Sequence, residues 1–214
     1  MKRISLFFVT CALCAAPGLA ATTLEFSPGT GGWSYDGAGT LNFEETYPVV
    51  TGLGLTTDAL VGAHVHIPDF TVGGIPGGPY TLTPVSPAIT ITDSADVVTY
   101  LTGTLGSGDL VPMGSTGVGY TIFQGDITSI TVNNSIGSDA LAAIAAMTTP
   151  ELDFELSLNG AGAGFQYMLD NPPVTGRDGF SGAMTTASIP APGALLLAGI
   201  GAGLVGWLRR VRAA

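Results

Sequence analysis

Apolar and polar residues alternate along the stretch from Glu151 to Leu158. Leu152, Phe154, Leu156 and Leu158 fall on one side, and Glu151, Asp153, Glu155 and Ser157 on the other. A period of two predicts a strand with one buried and one solvated face. Shorter runs of the same kind predict strands at Thr23–Phe26, Trp33–Tyr35, Thr40–Phe43, Leu60–Ile67, Ile89–Thr92, Val97–Leu101, Gly119–Phe123, Ile127–Val132, Phe165–Leu169 and Phe180–Met184. Clusters of Gly, Pro, Asn and Asp separate them and read as turns, as does Asn171 to Gly176. One segment breaks the pattern. Ser138 is placed to cap a helix from Asp139 to about Met147, with Leu141, Ile144 and Ala145 on one face and Pro150 ending it. The expected fold is mostly β: a single sandwich or barrel-like domain over residues 21–187 with one short helix.

The two ends follow a different pattern. Lys2 and Arg3 precede an apolar run from Ile4 to Ala16, and then Pro17-Gly18-Leu19-Ala20. A basic start, a short apolar core and small residues before a cut between Ala20 and Ala21 predict a signal peptide over residues 1–20, removed by signal peptidase. Cys11 and Cys14, the chain's 2 cysteines, lie inside that segment. Residues 21–187 therefore have no thiol chemistry and no disulfide.

At the other end, Gly193 to Leu208 carries no charge and is bounded by Pro190-Ala191-Pro192 and by Arg209, Arg210 and Arg212. Its length as a helix is about 24 Å, a little short of a ~30 Å hydrocarbon core. It has no polar face, which predicts a transmembrane helix over 193–208 with the basic tail on the cytoplasmic side. Together, residues 188–214 resemble the PEP-CTERM sorting signal, with Ala191 in place of the usual Glu between the prolines. The resemblance implies processing by an exosortase near Pro190-Ala191-Pro192. It also implies passage through the inner membrane to the cell surface, and association with extracellular polysaccharide or biofilm matrix.

Charge sharpens this picture. All 16 acids lie between Glu25 and Asp178, and Arg177 is the one base among them, for a net charge of −15 over that segment. Nucleic acid is excluded as a partner, because phosphate binding needs Lys and Arg. An acidic surface suits an exported protein that stays dispersed.

The residues that carry candidate chemistry are few. Asp58, His64, His66 and Asp69 are close in sequence, and His64 and His66 share one face of the strand at Leu60–Ile67. Two imidazoles at this spacing, with Asp69 as an oxygen ligand, are a candidate site for a transition metal. The other expectation is two histidines on a solvated face. Gly62-Ala63-His64-Val65-His66 also resembles, over five residues, a stretch of CHRD domains. Asp93 to Asp96 and Gly106 to Asp109 are the places to look for Ca2+. Trp33 and Tyr35 are candidates for stacking on sugars. Glu44-Glu45, or Asp153 with Glu155, would be the carboxylates of a glycosidase. Gly-x-Ser-x-Gly and phosphate-loop motifs are absent. The expected function is a structural or adhesive surface protein, not an enzyme. No cofactor is expected. The alternative is a ligand-binding module for Ca2+, a transition metal or a glycan.

Overall fold

The structure, a computed structural model, describes residues 23–27, 32–43, 47–77, 79–113, 120–159 and 165–186. All of them lie in one compact unit, Ala21–Ala187. The expected signal peptide and its cleavage site (Ala20, Ala21) lie outside the described residues, as do the segment 188–214 and Glu44-Glu45.

The strands in chain order are β1 (Thr23–Phe26), β2 (Trp33–Tyr35), β3 (Thr40–Phe43), β4 (Tyr47–Gly52), β5 (His64–His66), β6 (Phe70–Gly74) and β7 (Tyr80–Pro84). They continue with β8 (Ala88–Thr92), β9 (Thr99–Leu105), β10 (Gly108–Met113) and β11 (Tyr120–Val132). Helix α1 (Asp139–Ala145), β12 (Leu152–Asn159), helix α2 (Phe165–Asp170), β13 (Gly176–Asp178) and β14 (Phe180–Thr186) complete the unit.

Eight strands close on themselves in the order β12, β14, β1, β4, β5, β8, β9, β11 and back to β12, every pairing antiparallel. The result is a barrel without a free edge. A second run of strands, β10-β7-β6-β3-β2-β13, branches from β11. The 13-residue β11 makes both connections. Tyr120 to Gln124 pair with β10, Ile127 to Val132 pair with β9, and Tyr120 to Ile127 pair with β12 on the other side. Between Thr128 and Thr131 the register slips, with Ser129 at φ 54°. A bulge of this kind bends the strand within its pairing with β9.

The branch shares the barrel's core. Phe26, Phe154, Phe123, Phe70, Phe43 and Phe180 form a closed circuit of ring contacts with centroids 5.1 to 6.3 Å apart. Phe43 and Phe70 come from the branch and the other four from the barrel. Tyr47 packs edge-on against Phe180 at 4.5 Å. Such pairs add about 0.5–1.5 kcal/mol each beyond the area they bury. Gly182 pairs with both Phe26 and Leu156, and a Cβ there would lie 2.2 Å from Phe26 Cζ. The missing side chain is what lets the Phe26 ring lie over β14.

The β12 alternation is as its sequence predicts, with Leu152, Phe154, Leu156 and Leu158 buried and Asp153 and Glu155 exposed. Helix α1 begins at the expected cap: Ser138 Oγ accepts the Leu141 N–H at 3.1 Å. Its buried face is Ala140, Leu141 and Ile144, while Ala145 is exposed.

Three expectations are corrected. The described unit has two short helices, because Phe165 to Leu169 is helical. Its buried residues, Phe165, Met168 and Leu169, follow the i, i+3, i+4 spacing of a helix face, and Phe165 seats on Trp33 and Tyr35. The strand at Leu60–Ile67 shrinks to His64–His66, since turns occupy 59–62. β4, β6, β7, β10 and β13 were not expected.

Candidate functional site

The site on the outer face of the barrel starts from β5. Val65 is fully buried, so its neighbours His64 and His66 point away from the core. β8 runs beside β5 with His64 opposite Thr92 and His66 opposite Thr90. After β8 the chain turns sharply through Asp93 to Asp96. Asp93 Oδ1 accepts the N–H groups of Val97 and Val98 at 2.7 and 2.9 Å, and Asp96 N–H bonds to Asp93 O at 3.0 Å. This tight turn holds Asp96 at φ 56°, in the left-handed region that Asp tolerates better than most residues.

That backbone conformation brings the Asp96 carboxylate over the histidines. Asp96 Oδ1 lies 3.1 Å from His64 Nδ1 and 3.0 Å from His66 Nε2, and accepts the Thr92 hydroxyl at 2.7 Å. His66 Nε2 is also 2.9 Å from Thr92 Oγ1. The Asp96 pKa is lowered to about 2, first by the Thr92 hydroxyl bond and then, against desolvation, which raises it, by the bonds to His64 and His66. The cluster joins two imidazoles, a carboxylate and a hydroxyl around one oxygen atom.

The other carboxylates expected near the histidines are used elsewhere. Asp69 Oδ1 accepts the Phe43 N–H at 3.0 Å and steadies β3. Asp58 accepts the Leu60 N–H, the Ser138 hydroxyl and the Ala140 N–H at 2.8, 2.7 and 3.1 Å, and so ties the loop before β5 to the start of α1. Burial pushes the Asp58 pKa up, but these bonds outweigh it and hold the carboxyl below its ordinary value. Trp33 and Tyr35 are core residues, 1% and 6% exposed, so they offer no stacking face for a sugar. Asp109 and Asp126 line an open groove of about 720 Å³ with Asp153 and Glu155, in which Gln124 Nε2 donates to Glu155 Oε2 at 3.3 Å. All four acids are exposed.

Sequence reasoning singled out the histidine pair but not Thr92, and it considered Asp96 only for Ca2+. The His64-Asp96 contact spans 32 residues and depends on the pairing of β5 with β8. Among the described residues, no group of three or more His, Cys, Asp or Glu could hold a metal ion. Nor is any helix among them long and apolar enough to cross a membrane. No family model, curated protein or solved structure matches this chain.

Proposed function

We propose that this chain is an exported structural or adhesive protein of the cell surface or extracellular matrix, with the barrel unit as its working part. The pairing of β1 with β14 carries the reading. Thr23 lies opposite Thr185, so the first and last described strands are neighbours and the pairings that close the barrel are all made within residues 23–186. Removal of residues 1–20 and of the segment from about Pro190 onward would leave every one of these pairings intact. A domain that loses both flanks keeps its fold when the pairings that close it lie between them, as these do. The chemistry is consistent with it: an acidic segment folds as an all-antiparallel barrel around an apolar, aromatic-rich core.

In this reading signal peptidase cuts between Ala20 and Ala21. The 193–208 helix then holds the chain at the inner membrane, with Arg209, Arg210 and Arg212 on the cytoplasmic side. An exosortase-type enzyme, as the PEP-CTERM resemblance implies, cuts near Pro190-Ala191-Pro192. Gly199, Gly201, Gly203 and Gly206 make the helix a weak permanent anchor and leave its backbone open to a partner helix. The released barrel then associates with extracellular polysaccharide. Membrane fractionation with one tag inside the barrel unit and one after Ala214 tests the scheme. The barrel tag is expected at the surface without the Ala214 tag, and Pro190→Ala with Pro192→Ala should leave a membrane-bound precursor. Recovery of both tags together in the surface fraction of unmutated cells would refute it.

A further inference from the structure

We draw no further inference here: the strongest candidate, the open groove across β10, β11, β12 and β14 that Asp109, Asp126, Asp153 and Glu155 line, is a cluster of exposed acidic side chains, and nothing else among the described residues points to a ligand for it.

Discussion

Asp58→Ala removes the residue that joins the loop before β5 to helix α1, and the structure fixes what is lost. The carboxylate takes the Ser138 hydroxyl at 2.7 Å while the same Ser138 oxygen accepts the Leu141 N–H at 3.1 Å. Asp58 thus holds the helix cap in its capping rotamer, and it satisfies the Ala140 N–H directly at 3.1 Å. A lost cap costs about 1 kcal/mol. A hydrogen bond to a charged group that links distant segments adds about 1.5–3 kcal/mol. For a half-buried carboxylate the low end applies, so the expected loss is about 2.5 kcal/mol. For a unit of this size, each kcal/mol lowers the melting temperature by about 2–4 °C, which puts the shift at about 5–10 °C. Thermal and urea unfolding followed by circular dichroism measure it. Ser138→Ala should cost about 1–2 kcal/mol, and the double variant less than the sum, because both changes break the same hydroxyl bond. The pH dependence follows from the sign of the shift. The folded carboxyl titrates below the ordinary 3.8. Its contribution is therefore complete above that value and is lost as the pH falls through the folded pKa. The stability gap between the unmutated chain and Asp58→Asn should be flat at neutral pH and shrink below about pH 4. A loss under about 1 kcal/mol, strict additivity with Ser138→Ala, or a gap that widens in acid would each show that the cap does not depend on Asp58.

Two further predictions concern the core and the far end of the barrel unit. Gly182→Ala places a methyl group 2.2 Å from Phe26 Cζ. It should cost about 1–3 kcal/mol in urea unfolding, and adding Phe26→Leu should recover part of the loss. Burial, then the Asp170 carboxylate bonded to its hydroxyl at 2.9 Å, raise the Tyr80 pKa to about 12. Asp170→Asn should bring that titration back toward 10, read by absorbance at 295 nm. Because the raised pKa favours the folded state only while Tyr80 is protonated, stability is lost as the pH rises from about 10 to 12, and the variant should narrow that window.

The legible parts of the fold are those whose signal is local. β12 was readable because one face meets the core and the other meets water, and α1 because a cap and an apolar face occur within one short segment. β4, β6 and β7 were not. Pro48, Gly73, Gly74 and Pro84 sit within them, and their hydrogen bonds come from neighbours in the sheet rather than from propensity. α2 was misread because Phe165, Tyr167 and Leu169 imitate strand alternation. Only its seat on Trp33 reveals that Phe165, Met168 and Leu169 form the buried face.

The candidate site shows the same division between local and distant information. His64 and His66 on one face follow from Val65 between them. The choice of third partner does not follow, and proximity in sequence points the wrong way. Asp69 is three residues from His66, but Pro68 carries the chain out of the barrel and into β6, where Asp69 bonds to the backbone of β3. Asp96 is thirty residues away from His66 and arrives because β8 pairs with β5 and then reverses through a turn fixed by Asp93. A turn of this kind needs only an Asp at its first position and a residue that accepts φ near 56° at its fourth. Both can be seen in Asp93-Ser94-Ala95-Asp96, yet nothing there indicates which strand the fourth side chain will face. That is settled by the closure of the barrel, so the chemistry of this surface depends on a register that the local sequence does not specify.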